Sequence, residues 1–544
     1  ARIEIQHVIW VFPNAPGVRT QLRVKALEGF SSENLPDKEG KRMDCGHWIA
    51  VPSSRTEYLP LNFTEENSRR YWGYYNNPGS RHDPAREMLE ETVVTGYPLF
   101  LTEENHWASG ISVEYHNGES GICVVKESPK CVNEQSHYTG SFYSGPDGLV
   151  VSGWGLTPDE IVSGQYRECW ASWTIIWSQG NDGMQLALKQ FDRARYPAFP
   201  ERDLFILSNT WGPANPGGSQ FTEQDFLMKE IPALAKLGID VMQIDDGWQK
   251  GGLSSQARDF SPKYSNGWKD IKAEADKYGL RFGLWVTAQL ATTEEMNKNL
   301  DELGFIAWKA DFDHLANRSD YEARARKYRD VLKHAWMKTQ FTLCPEYDDP
   351  RYGWYYFKEY GSIYFQNIQE SLPAHLTMVP YQVLRQHWLM SKYFNSNKLQ
   401  VMLQNPKRTN PDRSDAPQHS HSYCFAMGLP FIPCFFQSAQ YLDEQGQKEL
   451  TEFIAGYKNH REAIFNCYTF PVGDKPDNQS WSGFQMINEE DESSNYLLLF
   501  RELHNDEKQK SIQLKLLAGK TIQITNIETG EDSVQKVTTD GMVP

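Results

Sequence analysis

The sequence predicts a multidomain protein with an N-terminal β-sandwich over residues 1–198, a central (β/α)8 TIM-type barrel over 199–466 and a small C-terminal β-domain over 467–544. Three observations predict this class. The chain has 544 residues, which is about three to four domains' worth. Its first part consists of short alternating runs, whereas its middle alternates apolar strands with helices. After about residue 468 the β pattern returns.

The N-terminal part shows the pattern of a sandwich. Alternating runs are separated by turn residues such as Asn117-Gly118, and strands at this spacing without helices between them are typical of two packed sheets. A helix is predicted over Met184–Tyr196, before a linker that contains Pro197 and Pro200. The alternating runs are Gln21–Val24, Gly110–Tyr115, Ile122–Val125, Leu149–Ser152 and Ser172–Ile176.

The middle part shows eight apolar strands with intervening helices, the rhythm of a (β/α)8 barrel. The competing interpretation, an open doubly wound sheet, is weakened because no Gly-x-Gly-x-x-Gly follows the first strand. The predicted strands are Leu204–Ser208, Val241–Asp245, Arg281–Val286, Ile306–Asp311, Phe341–Cys344, Ile363–Phe365, Leu399–Leu403 and Leu429–Phe435. The predicted helices are Phe221–Leu237 with Thr222 as N-cap, Trp268–Tyr278, Glu294–Leu303 and Leu442–Tyr457.

The C-terminal part returns to short strands, predicted at Tyr496–Leu499, Ser511–Leu514 and Thr521–Ile524. These runs indicate a small β-domain after the barrel.

Composition excludes several classes of function. The net charge of −16 argues against a nucleic-acid partner, which would be repelled. No run of about 18 apolar residues occurs, so no membrane span is predicted. Aromatic residues make up 13% of the chain and include 17 Trp. Large cores and flat faces for stacking on sugar rings both explain such a number.

Candidate site residues follow the predicted barrel strands, because barrel active sites lie at the C-terminal ends of the strands. Asp311 ends the fourth strand, and Lys309 lies two residues earlier on the same face. An ammonium beside a carboxylate favours its ionised form, and a positioned carboxylate is what a glycosidase nucleophile requires. The structural alternative is an ordinary buried Lys–Asp pair.

A doubled carboxylate, Asp245-Asp246, ends the second strand and is followed by Gly247 and Trp248. Carboxylates accept hydrogen bonds from vicinal hydroxyls, and a Trp offers an apolar face. The alternative is a helix cap with a surface acid. Its occurrence in the same barrel as the Lys309–Asp311 motif favours a sugar site.

These motifs carry a resemblance to a known family. Gln243–Trp248, which reads Gln-Ile-Asp-Asp-Gly-Trp, followed by Trp308–Asp311, which reads Trp-Lys-Ala-Asp, resembles the catalytic domain of the α-galactosidase and α-N-acetylgalactosaminidase clan, closest to glycoside hydrolase family 36. The order of the three predicted domains agrees with that family.

The resemblance implies retaining hydrolysis of a terminal α-linked galactose-type sugar, with Asp311 as nucleophile. Asp245 and Asp246 take the places of the acids that hold the 4- and 6-hydroxyls, and Lys309 that of a lysine near the nucleophile. Cys344 takes the place of a cysteine that opens the strand 5 motif. The tryptophans that would line the pocket are Trp211, Trp248 and Trp285.

Two positions depart from the family pattern. Cys344 is followed by Pro345–Asp349 rather than by Ser and glycines, which leaves open how the sugar's 2-position is accommodated. Asn367 stands where the family has its acid/base Asp, and an amide cannot protonate a leaving group. Three explanations stay open: an Asp→Asn variant that traps substrate; an acid role for Glu370 or for an acid of the loop 346–349; or a naturally inactive sugar-binding protein.

The resulting hypothesis is a retaining, exo-acting α-glycosidase that acts on an oligosaccharide or glycan and needs no cofactor and no metal. The alternatives are an α-galactosyl transglycosylase of the raffinose-synthase type and a non-catalytic carbohydrate-binding protein. A secreted or periplasmic location is expected, with a cytoplasmic one as the alternative. Members of the family it resembles are often oligomers, so a homo-oligomer and a monomer both stay open.

Overall fold

The chain has the predicted sequence of folds: a β-sandwich, a closed parallel barrel and small C-terminal sheets. The computed structural model describes residues 2–28, 42–44, 47–49, 53–61, 67–74, 87, 89–95, 108–127, 142–145, 148–154, 161–169, 171–213, 219–250, 264–312, 318–343, 355, 357–364 and 378–543. The limits given above for the three domains remain predictions.

The N-terminal strands form two main antiparallel sheets. One has the order β1-β2-β13-β9-β8-β6-β7, with β12 beside β2, and the other has the order β10-β11-β5. The strands are β1 (Ile3–Val11), β2 (Gly17–Ala26), β3 (Arg42–Asp44), β4 (His47–Ile49), β5 (Ser53–Leu59), β6 (Ser68–Tyr74), β7 (Leu89–Thr95), β8 (Gly110–Tyr115), β9 (Ser120–Glu127), β10 (Phe142–Gly145), β11 (Gly148–Trp154), β12 (Arg167–Glu168) and β13 (Ala171–Ser178).

The two sheets pack face to face, which confirms the predicted sandwich. Their shared core contains Ile111 and Val124 from the large sheet and Phe142, Leu149 and Val151 from the small one. Alternation explains this packing, because every second residue of a strand points to the same face.

The opposite face of the large sheet packs on the rest of the protein through aromatic side chains. Trp72 stacks on Tyr393, with ring centroids 4.6 Å apart, and Trp173 meets Tyr196 and Tyr355. Much of the Trp content therefore serves packing. Among the residues whose burial the structure describes, the buried tryptophans are Trp72, Trp173, Trp177, Trp248, Trp268, Trp285 and Trp308.

A buried ion network joins this sheet to the barrel. Arg19 donates two hydrogen bonds to the Glu127 carboxylate, at 2.8 and 2.7 Å, and Trp173 Nε1 and Arg195 Nε donate to Glu127 Oε1. Arg195 also pairs with Glu359, which precedes a barrel strand. Burial alone would raise the pKa of Glu127, but the charges of Arg195 and Arg19 and the hydrogen bonds outweigh it and lower the pKa to about 2.

This network predicts an acid-sensitive junction. The lowered pKa means that Glu127 stabilises the folded state fully above its usual value near 4.5 and progressively less as the pH falls from there to about 2. On the order of 3 kcal/mol is expected to be lost over that window. Denaturant unfolding of the chain and of Glu127→Gln between pH 6 and pH 2 measures it, with the exposed-pair variant Glu168→Gln as control. If the free energy of unfolding fell equally with pH in Glu127→Gln and in the parent, the prediction would be contradicted.

The barrel closes from eight parallel strands in sequential order, β14 (Leu207–Asn209), β15 (Val241–Ile244), β16 (Arg281–Thr287), β17 (Ala307–Asp311), β18 (Gln340–Leu343), β19 (Gly361–Tyr364), β20 (Leu399–Leu403) and β21 (Ile432–Phe435). All eight predicted strands are confirmed, with ends displaced by at most three residues. Nearly all of their residues are buried, as expected for strands covered on both faces.

The described helices are α1 (Gly180–Arg195), α2 (Pro200–Asp203), α3 (Gln224–Leu237), α4 (Lys269–Asp276), α5 (Thr293–Leu303), α6 (Arg318–His334), α7 (Pro380–Met390), α8 (His421–Ala426), α9 (Glu444–Lys458) and α10 (Arg461–Asn466). The predicted Thr222 cap is wrong: residues 219–222 form a separate 3-10 turn, and Glu223 is the N-cap of α3. Gly238 ends α3 at φ +87°, as predicted, because this left-handed conformation favours glycine.

The C-terminal part contains a three-stranded sheet and two two-stranded sheets. The strands are β22 (Tyr468–Gly473), β23 (Trp481–Ile487), β24 (Tyr496–Arg501), β25 (Ile512–Gln513), β26 (Thr521–Thr525), β27 (Asp532–Lys536) and β28 (Met542–Val543), and the two-stranded sheets are β25-β28 and β26-β27. Val472, Ile512, Leu514, Val537 and Val543 form its small core. Among the described helices, none has the length and apolarity needed to cross a membrane.

Candidate active site

Polar side chains converge where the first four barrel strands end. Parallel strands in a closed barrel present all their C-terminal ends at one rim. Asn209 ends β14, Asp245 and Asp246 follow β15, and Asp311 ends β17. Three of these four side chains, those of Asn209, Asp245 and Asp311, are buried, and Asp246 is half-buried.

Asp311 is held by two N–H donors. Trp285 Nε1 lies 3.1 Å from Asp311 Oδ2, and the backbone N–H of Phe312 donates to Oδ1 at 2.9 Å. Phe312 has φ +47°, a left-handed conformation that is costly for a bulky residue. This strained turn directs the amide at the carboxylate. Both oxygens of Asp311 are therefore oriented by the protein.

Trp285 is itself supported from the neighbouring strand end. Trp248 Nε1 donates to the carbonyl oxygen of Trp285 at 2.9 Å. The Trp248 ring packs 5.5 Å from that of Trp268, inside the main hydrophobic core. Trp248 thus contributes packing and one hydrogen bond to the residue that holds Asp311.

Asp245 is the most fully bonded acid of the rim. Its Oδ2 accepts from Lys309 Nζ at 2.9 Å and from Asn209 Nδ2 at 2.6 Å, and its Oδ1 accepts the N–H of Asp246 at 2.9 Å. The Asp245 backbone N–H donates to Thr210 Oγ1. Both members of the Lys309–Asp245 pair are about 2–3% exposed, so this is a buried salt bridge.

Lys309 therefore has a role that strand-level reasoning missed. The sequence places Lys309 beside Asp311 on one strand face, and the structure adds an ion pair between its ammonium and Asp245, which follows β15, the next strand but one. The ammonium also lies 5.6 Å from the centre of the Tyr364 ring on β19. Lys309 thus links strands β15, β17 and β19 at the level of the site.

Asp246 differs from Asp245 in both exposure and partners. It is half-buried, and its Oδ1 accepts from Gln249 Nε2 at 2.5 Å. Burial raises the pKa of Asp246, the Gln249 hydrogen bond lowers it, and the charge of Asp245 raises it further, for a net increase. Asp246 is therefore the acid of this pair with a side open to a ligand.

The remaining predicted site residues divide into two groups. Trp211 is half-buried, packs against the inner barrel cluster and donates its backbone N–H to Asn209 Oδ1 at 2.8 Å. Cys344, Asn367 and Glu370 lie outside the described residues, as does the loop 346–349. A retaining mechanism predicts that the Asn367 side chain lies about 5–5.5 Å from the Asp311 carboxylate.

Three residues of the site were missed by sequence reasoning: Asn209, Thr210 and Gln249. Asn209 and Thr210 had a signal, since they end the first predicted strand. Gln249 directly follows the Asp-Asp-Gly-Trp motif. In the part of the chain that the structure describes, no group of three or more His, Cys, Asp or Glu side chains is arranged to hold a metal ion.

Comparison with curated proteins finds α-galactosidases. A stretch of 120 residues is 31% identical to the α-galactosidase of Escherichia coli and covers 21% of this chain and 16% of that protein. A stretch of 130 residues is 28% identical to α-galactosidase AgaA of Geobacillus stearothermophilus and covers 22% and 17%. The aligned stretches thus span less than a fifth of these relatives. No protein-family model matches the chain.

Comparison with solved structures matches the fold over its whole length. The family 36 α-galactosidase AgaA of Geobacillus stearothermophilus, in complex with 1-deoxygalactonojirimycin, superposes with a TM-score of 0.67 at 13% identity. The match covers 100% of this chain and 79% of AgaA. The galactosidase domain of the α-galactosidase–sucrose kinase AgaSK gives 0.67 at 12% identity, covering 100% and 78%.

The fold match spans all three parts of the chain, and the sequence matches are to α-galactosidases. The resemblance predicted from the motifs at the ends of β15 and β17 is confirmed: the chain has the fold of the family 36 α-galactosidase structures and local sequence similarity to curated α-galactosidases.

Proposed function

We propose that this chain is a retaining, exo-acting α-glycosidase that releases terminal α-linked galactose-type sugars from oligosaccharides or glycans. The observation that carries the proposal is the Asp311 carboxylate, buried at the end of β17 and oriented by Trp285 and Phe312. A buried, fixed carboxylate at the catalytic rim of a barrel suits a nucleophile that must attack one carbon from one direction.

The proposed reaction has two displacements. Asp311 attacks the anomeric carbon, so that a bond to its carboxylate oxygen forms while the bond to the leaving oxygen breaks and that oxygen takes a proton. Water then attacks the same carbon, releases Asp311 and gives its proton to the group that protonated the leaving oxygen. Two inversions return the α-configuration.

This mechanism needs a group that gives a proton to the leaving oxygen. The resemblance assigns that position to Asn367, which has no proton to give at neutral pH. Leaving groups that depart without protonation, such as nitrophenolate, bypass this requirement in the first step. The chain as it stands is therefore expected to cleave activated glycosides faster than natural ones.

Two lines of support favour a galactose-type sugar. The curated relatives are α-galactosidases, and AgaA variants are known in complex with raffinose and with stachyose. The paired acids Asp245 and Asp246 offer carboxylate oxygens beside one another at the rim, which suits adjacent sugar hydroxyls.

The test is release of nitrophenol from α-galactoside, α-N-acetylgalactosaminide and α-glucoside by the chain and by Asn367→Asp. We expect the galactoside to be cleaved fastest and Asn367→Asp to raise turnover of natural oligosaccharides by about 10²-fold or more, the scale of general acid catalysis. Azide should accelerate the parent chain and yield an α-glycosyl azide. Absence of release by both proteins would contradict the hydrolase proposal.

A second candidate function is sugar binding without turnover, which Asn367 favours. It predicts binding of 1-deoxygalactonojirimycin by the parent chain with no nitrophenol release by either protein.

A further inference from the structure

Gln249 closes the turn that follows β15. Its Nε2 donates to Asp246 Oδ1 at 2.5 Å, and its Oε1 accepts the backbone N–H of Gly247 at 3.0 Å. The side chain is only 4% exposed. Gly247 adopts φ +112°, so the turn needs glycine at this position.

These two hydrogen bonds define the orientation of the Gln249 amide. A carboxylate oxygen can only accept, and a backbone N–H can only donate. The amide nitrogen must therefore face Asp246, and the amide oxygen must face Gly247. One side chain thus holds the acid and the turn that presents it.

The two neighbouring acids are bound in opposite ways. Asp245 gives both oxygens to protein donors, namely Lys309, Asn209 and the Asp246 N–H. Asp246 gives Oδ1 to Gln249, and it is half-buried rather than buried. At this strand end, Asp246 can therefore accept more hydrogen bonds from a ligand than Asp245 can.

We infer that Gln249 is a positioning residue that holds Asp246 Oδ1 against the turn and so directs Oδ2 toward the hydroxyl that distinguishes galactose-type from glucose-type sugars. The inference rests on the proposed function, because it takes this rim as the sugar-binding side. The amide supplies a hydrogen bond to a charged acceptor, which is stronger than one between neutral groups.

The electrostatics of the turn agree with this role. Burial and the charge of Asp245 raise the pKa of Asp246 on balance, while the Gln249 hydrogen bond, the backbone N–H of Gly247 and the charge of Lys309 oppose the rise. Removal of the Gln249 donor is therefore expected to raise the pKa of Asp246 further. As the pH is lowered, Asp246 should then become protonated at a higher pH than in the parent chain. Because a protonated acid is a poorer acceptor, the preference for galactose-type over glucose-type sugars should be lost at that higher pH.

The test is calorimetric binding of 1-deoxygalactonojirimycin and of its 4-epimer, 1-deoxynojirimycin, between pH 5 and pH 8. The ratio of the two affinities cancels the titration of the iminosugars. Gln249→Met removes these two hydrogen bonds, and Gln249→Glu keeps an acceptor for the Gly247 N–H but replaces the donor to Asp246 with a second carboxylate oxygen, which repels it. We expect both variants to lower the galactose-type preference by about tenfold, the scale of a hydrogen bond to a charged group.

The matched control is Gln224→Glu, because Gln224 Nε2 also donates to an acid, Asp270, at 3.2 Å, between the first turns of helices α3 and α4. It should leave the ratio unchanged. A ratio within twofold of the parent in both Gln249 variants overturns the inference and leaves the proposed function standing. Absence of binding of either iminosugar by the parent chain overturns both.

Discussion

Replacing Asp311 with Asn is expected to lower kcat/KM for nitrophenyl α-galactoside by at least about 10⁴-fold, the scale of removing a covalent nucleophile. The amide has nearly the same shape as the carboxylate, and its oxygen can still accept from Trp285 Nε1. Its lone pairs are far weaker nucleophiles, so the glycosyl-enzyme should not form. The expected loss lies in the first chemical step rather than in binding.

The measurement is initial-rate kinetics of Asp311→Asn in the parent chain and in an Asn367→Asp background, so that a missing proton donor does not mask the effect. Asp301→Asn is the control, because Asp301 is an exposed acid that pairs with His334 on the helices outside the barrel. Binding of 1-deoxygalactonojirimycin should persist in Asp311→Asn. Turnover within tenfold of the parent would assign the nucleophile to another residue.

Replacing Lys309 with Met is expected to cost about 3–5 kcal/mol of stability, because it leaves the buried Asp245 carboxylate without its cation. Asn209 and the Asp246 N–H would remain as donors but carry no full charge. The double variant Lys309→Met with Asp245→Asn removes both charges and should recover much of that loss. Sugar binding should not recover, since the arrangement of acids at the rim is gone.

The loss of stability is measured by urea unfolding together with hydrogen exchange of the barrel strands. Hydrogen exchange is needed because a chain of several domains need not unfold in one step. The exposed pair Lys272–Asp276 supplies the control, because both side chains are about half exposed. Lys272→Met should change stability by less than about 1 kcal/mol. A similar small change in Lys309→Met would show that the buried pair contributes little, and equal losses in the single and double variants would exclude an unpaired charge as the cause.

Local patterns were sufficient for the architecture because strands and helices have different periods of burial. The eight barrel strands were placed to within three residues, and Leu399–Leu403 was placed without error. Capping was less predictable. The Thr222 cap failed because a 3-10 turn precedes α3, whereas Thr292 and Glu295 form a capping box that starts α5 one residue before the predicted Glu294.

The residues at the ends of β15 and β17 can be identified from local sequence patterns, and these patterns predict that acids, a lysine and tryptophans meet at one rim. The bonds between these residues depend on the three-dimensional arrangement of the strands. Lys309 reaches Asp245, 64 residues away, and Trp285 lies opposite Lys309 in register yet donates to Asp311. The physical reason is that barrel closure and strand stagger set these cross-strand distances, and a local pattern holds no information about the side chain that a neighbouring strand brings near.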